Sequence, residues 1–400
     1  MKAEFSMWGI DINDENFELL RTKPNEIDKI IIYTEQEYDL VGILPSFGGG
    51  REAHTETLID ISIQYNIPVH IVIGLTPTQD FRTSMHKPVK DGTLSINFIK
   101  DMTRYKHIIV HYWGTYWFSS RWYHIINYER EHEVITQPDV YTYPFISMNG
   151  RSRHHRCVMI DALHRRDLIS KAAISWNTHG IKKIDSLPGF YVPPSMWLTE
   201  TYEPPEDFTD AEALELYVDQ NSLPLEYNMS FAQLVTETTD DKDFITEKTV
   251  TPLFEMKPFI CVASTNFHTR VLRDYYGFKL YDELFDYSFE NVTCVIERCR
   301  AIAREFEKIS MMSNDEMHEM YNKLKPKLEY NRQLAINIAL DASVIPQPIL
   351  DTYNDQTREG FPDGLRFTRT APISYGSPYL VEFLLKHNNL PNRNIYDWST

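Results

Sequence analysis

The chain has 400 residues, 42% of them hydrophobic, and a formal net charge of −17, which at about 150 residues per domain predicts two globular domains and an appendage. The acidic balance argues against a protein that coats nucleic acid non-specifically, because such binding neutralises phosphates with Lys and Arg, although a local basic groove stays open. No apolar run of about 18 residues and no signal-peptide core occurs, so the sequence predicts a soluble, cytoplasmic protein without membrane insertion.

Residues 29–33 (KIIIY), 40–44 (LVGIL), 68–75 (PVHIVIGL) and 107–112 (HIIVHY) are short β-branched runs that read as strands. Between the second and third, ETLIDISIQYN carries Leu58, Ile59, Ile61 and Ile63 and reads as a helix. Strands alternating with helices predict a parallel sheet covered on both faces, and residues 1–145 form the first α/β domain. Gly48-Gly49-Gly50-Arg51 follows a strand without the full GxGxxG spacing. It reads as a phosphate cradle, a flexible turn, or a loop that lets an acceptor approach Glu52 or His54. HYWGTYWFSSRWYH brings Trp113, Trp117 and Trp122 together with Tyr112, Tyr116 and Tyr123. It is either a core helix or a stacking wall for a sugar or an extruded base.

A second cycle opens at the strand Tyr143–Ser147 and runs through Asn149-Gly150 into Arg151, Arg153, His154, His155 and Arg156, then the helical CVMIDALHRR. Guanidinium forks at a helix start suit a diphosphate; a solvated basic helix start is the alternative. KAAISWN (171–177) reads as a strand, Thr209–Glu212 as a capping box, and Pro258–Ala263 as a buried strand after the helix-like TVTPLFEM. Thr246-Glu247-Lys248 lies just before that helix. Downstream, TRVLRDYY reads as a helix stopped by Gly277 and followed by a short strand. Val292, Val295, Ile296, Cys299, Ile302 and Phe306 share one helical face, and Pro326 is expected to bend or break the helix capped by Ser313–Glu316. YLVEFLLKH (379–387) restores an apolar face within a segment, 346–400, expected to pack back on the body. Cys157, Cys261, Cys294 and Cys299 lack Cys-x-x-Cys spacing and read as reduced packing residues.

FITEKTVTPLFEMKPFICVAS resembles the donor-binding motif of the fucosyltransferases, in which an aromatic residue, Thr-Glu-Lys, a helix and a Pro-containing apolar strand recur. With Gly277-Phe278-Lys279 and Asp282-Glu283 downstream, it also resembles glycosyltransferase-like proteins encoded by tailed phages. The resemblance covers about residues 145–310. It implies a two-Rossmann-domain (GT-B) architecture: α/β, with two Rossmann-like domains facing a cleft. The second domain, 146–345, would bind a nucleoside-diphosphate sugar such as a UDP- or GDP-sugar, with no metal required. Carried over by position, Lys248 would contact a donor phosphate, Glu247 the ribose, and Arg153 or Arg156 the diphosphate. Glu237 stands where the fucosyltransferase pattern has an acidic residue after an aromatic strand, but TTDDKD departs from that pattern.

Sugar transfer also needs a base to take the acceptor proton, and Glu52, His54 and His111 are the candidates in the first domain. Asp11-Ile12-Asn13-Asp14 is a poor match to a metal-binding Asp-x-Asp, with Asn13 in place of the second Asp. The phage likeness implies a hydroxymethylated base in DNA as acceptor. A surface glycan, a small glycoside, or a non-catalytic viral module on the same fold are the alternatives.

Overall fold

In the computed structural model of the protein, the residues described are 2–6, 15–34, 61–73, 108–128, 137–149, 153–175, 223–238, 240, 243–351, 354 and 378–387. The expected strand at 40–44, the glycine turn at 48–51, the Asp11–Asp14 segment and the helix after Thr209 lie outside them. The chain divides into two compact units, Met1–Ser120 with Leu340–Thr400, and Arg121–Ala339.

The first unit holds a parallel four-stranded sheet in the order β1 (Lys2–Ser6), β2 (Lys29–Thr34), β3 (Val69–Ile73), β4 (Ile108–Tyr112). Ile30 and Ile31 point to opposite faces yet are both fully buried, as a parallel sheet covered on both sides requires. Helix α1 (Glu15–Thr22) connects β1 towards β2, and residues 61–65 are helical, in line with the apolar spacing before β3. β1 is an addition to the sequence reading, because KAEFS has no β-branched residue to announce it. Lys29 Nζ meets Asp351 Oδ2 at 2.6 Å, tying β2 to the C-terminal part of the same unit.

The second unit holds another parallel four-stranded sheet, formed by β5 (Tyr143–Ser147), β6 (Ala173–Ile174), β7 (Ser230–Thr236) and β8 (Phe259–Val262). Its order is β6-β5-β7-β8. Every residue of β7 and β8 is buried, so both faces are covered. Helix α2 (Tyr116–Tyr128) precedes β5, and α3 (His154–His164) connects β5 to β6. α5 (Glu247–Phe254) connects β7 to β8, after a one-turn α4 (Leu225–Asn228). α6 (Val295–Ser310) packs on α3 and β5, while α5 packs on α7 (Asn314–Ala339) and β7. α8 (Pro378–His387) belongs to the first unit.

Three expectations change. α7 runs unbroken through Pro326: Tyr321 and Leu324 before it and Leu328 after it are buried, so packing on both sides offsets the hydrogen bond the proline removes. Residues 279–281 form no strand, because the Asn331 side chain takes the place of a neighbouring strand, accepting from Lys279 N at 2.8 Å and donating to Lys279 O at 2.9 Å. On α6, Ile296 is 40% exposed while Arg298 is buried, so the inward stripe runs through Arg298, Cys299, Ile302 and Phe306. Other readings hold. Gly277, at φ 85°, follows the helical turns of Phe267–Tyr275, and Ser313 and Glu316 make a reciprocal capping box. All four cysteines are free thiols; Cys261 and Cys299 are buried as packing residues, whereas Cys294 is exposed and does not fit that expectation. Among the described residues, no helix is long and apolar enough to cross a membrane.

Candidate functional site

Ligands of open parallel sheets collect beyond the carboxyl ends of the strands, where the strand order reverses. In the second sheet this point lies between β5 and β7, because the chain steps from β5 to β6 on one side and returns to β7 on the other. One side chain laces the strand ends there. Asn149 is 1% exposed; its N–H donates to Ser175 Oγ at 2.9 Å, and its Nδ2 donates to Ser147 Oγ at 3.1 Å and Ser175 O at 3.3 Å. Its Oδ1 accepts from Thr236 Oγ1 at 2.7 Å. An amide with these partners fixes the ends of β5, β6 and β7 together.

α3 begins beyond β5. Its N-cap, Arg153, is extended at φ −119° and ψ 156° and makes no capping bond from its side chain, which lies half-buried. His155 and Arg156 turn into the fold. Arg156 Nη2 donates to the carbonyls of Thr236 and Glu237 at 3.3 and 3.2 Å, and His155 Nε2 lies 2.7 Å from the same Glu237 carbonyl. The arginine-rich helix start is thereby pinned to the end of β7.

Glu237 is fully buried. Its carboxylate accepts from Thr238 N at 3.0 Å, Thr246 N at 3.1 Å and Thr246 Oγ1 at 2.8 Å, and also from Thr249 Oγ1. Thr246 is the N-cap of α5 and accepts from Lys248 N at 3.2 Å. A helix N-terminus attracts an anion, and here the protein supplies its own. Thr249 Oγ1 also meets Cys261 Sγ at 3.3 Å, and burial pushes that thiol's pKa well up, so Cys261 stays protonated packing. Glu247 and Lys248 face outward, their side chains 42% and 26% exposed, paired with each other.

Two aspartates after β7 are held by arginines, one buried and one exposed. Arg298 is 3% exposed and donates to the carbonyls of Val292, Asp240 and Ala263 at 2.9, 3.1 and 3.0 Å. Asp243 accepts from Ser264 Oγ at 2.5 Å and Arg270 Nη2 at 2.6 Å. The acidic side chains Glu237 and Asp243 are thus already bonded to donors of the protein itself.

No family model, curated protein or solved structure matches the chain.

The structure brings Arg153, Arg156, Glu237, Glu247 and Lys248 to the carboxyl end of one sheet, where their positions differ. Arg156 and Glu237 are buried and spent on carbonyl and amide partners, whereas Arg153, Glu247 and Lys248 reach the surface. Glu52, His54 and Arg151 lie outside the described residues; His111 stands in β4, with its side chain outside them. The aromatic stretch runs from the end of β4 through a turn into α2, and several of its rings are buried. Trp113, Tyr116 and Phe118 are at most 4% exposed, and Trp122 packs on Phe254 with ring centroids 5.2 Å apart. Sequence reasoning missed Asn149, Asp240, Asp243 and Arg298. Asn149 reads locally as a turn residue, the two aspartates as an acidic loop, and Arg298 as one more solvated charge on a helix. The two available signals were an Asn just past the end of a strand and an Arg within an apolar stripe.

Proposed function

We propose that the chain is a glycosyltransferase of the two-Rossmann-domain type, moving a sugar from a nucleoside-diphosphate donor to an acceptor hydroxyl. The observation that carries the reading is the reversal of strand order between β5 and β7, with the start of α3 and Arg153 at its mouth. Negative charge grows on the leaving diphosphate during transfer, and a fixed guanidinium, helix amides and an ammonium beside it lower the barrier. Arg153 and the α3 start supply the first two. Lys248 supplies the third by exchanging Glu247 for phosphate; a half-exposed ion pair is worth about 0–1 kcal/mol, so the exchange costs little. Glu247, released, is available to a ribose hydroxyl. Arg156 and Glu237 act by holding the two helix starts in place. The base for the acceptor is sought among Glu52, His54 and His111.

A hydroxymethylated base in DNA is the acceptor that the phage likeness favours. The net charge of −17 favours instead a glycan or small glycoside, since duplex binding rests on cationic contacts. The deciding experiment is a thermal-shift screen with UDP- and GDP-sugars on the wild type and Lys248→Ala, followed by transfer assays on hydroxymethylated DNA, unmodified DNA and free glycosides. A shift with one donor, lost in Lys248→Ala, is the expected result. No shift with any donor would leave a non-catalytic module as the surviving account.

A further inference from the structure

His155 sits in the first turn of α3, 3% exposed, with an acceptor on each side of its ring. Nε2 is 2.7 Å from the Glu237 carbonyl oxygen, and Nδ1 is 3.5 Å from Asp240 Oδ1. A neutral imidazole has one N–H. The carbonyl, at hydrogen-bonding distance, takes it, which leaves the Nδ1 lone pair facing a carboxylate. Only a second proton turns that repulsion into a charge-assisted contact.

The surroundings make this a balanced switch. On its own helix His155 is flanked by Arg153 and Arg156; from the end of β7 it faces the Glu237 carbonyl and Asp240. From α6 come Cys299, whose Sγ lies 3.8 Å from the His155 carbonyl, and Arg298. Arg298 Nη2 donates to the Asp240 main-chain carbonyl and lies 4.0 Å from Asp240 Oδ2, which keeps the Asp240 backbone beside the ring. Burial pushes the His155 pKa down, the Glu237 carbonyl and Asp240 pull it up, and Arg156 and Arg153 push it down, with a net lowering. The ring is therefore neutral at neutral pH. An anion seated beside Arg153 would offset the repulsion from the two guanidinium groups and tip the ring towards protonation.

We propose that His155 and Asp240 form a proton-linked latch at the mouth of the second sheet, in which a dianion bound at the start of α3 draws a solvent proton onto Nδ1 and the resulting imidazolium–carboxylate contact secures the site. The inference rests on reading the start of α3 as an anion site. It adds that binding there takes up a proton and tightens as pH falls. Linkage is reciprocal, so each unit by which the dianion raises the His155 pKa appears as a tenfold gain in affinity from alkaline to acid pH.

The test follows the His155 ring by NMR from pH 5 to 8 in the wild type, Asp240→Asn and His155→Gln, with sulfate or with chloride at matched ionic strength. Sulfate remains a dianion across this range, so any pH dependence belongs to the protein. The expected results are a midpoint that falls in Asp240→Asn, rises with sulfate in the wild type, and rises less with sulfate in Asp240→Asn. Sulfate affinity should depend on pH more steeply in the wild type than in His155→Gln, whose side-chain amide can still donate to the Glu237 carbonyl and which keeps His154 in the same turn. An unchanged midpoint in Asp240→Asn overturns the latch. Amide shifts at 153–157 with sulfate but no movement of the His155 midpoint overturn the latch while leaving the anion site standing. An absence of sulfate shifts at 153–157 overturns both.

Discussion

The two sheets are built from the same parts and differ in one respect that matters for function. In the first, the described strands follow one another across the sheet as β1-β2-β3-β4, so each new strand extends the same edge. In the second, the order β6-β5-β7-β8 reverses direction at β5, and the connections leave to opposite sides. A reversal opens a crevice at the strand ends, and the second sheet furnishes it with a laced floor at Asn149 and two helix starts. α/β alternation alone does not mark a site; the order in which the strands pair does.

If the second sheet is organised around its strand ends, its buried carboxylate should matter far more than a surface charge on the first. Glu237→Ala removes the shared acceptor of Thr238, Thr246 and Thr249 and leaves buried donors without it. Loss of about 3 kcal/mol or more in urea unfolding is expected. A change below about 1 kcal/mol would mean that the α5 start is held some other way. Near the start of β7, at the opposite end from Glu237, the Lys257 side chain is 4% exposed, donates to the Ser230 carbonyl and lies 4.8 Å from the Tyr227 ring centroid. Burial pushes its pKa from 10.5 down to about 7, with Glu255 opposing the shift. The unfolded chain therefore holds more protons than the folded one between those values, and stability rises with pH across that window. Lys257→Met should flatten this rise; a pH–stability slope identical to wild type would show that the ammonium is not desolvated. The smallest effect is expected on the first sheet: Lys29→Ala breaks the partly exposed pair with Asp351 at a cost of no more than about 1 kcal/mol, and leaves donor binding unchanged.

Much of the fold was legible because β-branched runs such as KIIIY and PVHIVIGL, and the apolar run before Ala263, mark buried parallel strands directly. Capping at Ser313 and the glycine stop at Gly277 were legible for the same local reason. Departures arose where a distant partner overrode the local pattern. Asn331 takes up the Lys279 main-chain N–H and carbonyl that a strand at 279–281 would have paired, and Arg298 is buried because three carbonyls receive it. Of the site, the sequence marked the Arg cluster and Thr246-Glu247-Lys248. It could not tell Arg153 from Arg156, or Glu237 from Glu247, because direction and burial at a helix start depend on which strand lies beside it.

Hydrogen–deuterium exchange of the whole chain with UDP and with GDP tests the central claim most directly. The account predicts slowed exchange at 153–157 and 243–250, with 29–34 and 69–73 unchanged. Protection confined to the first sheet, or protection nowhere at saturating nucleotide, would contradict it.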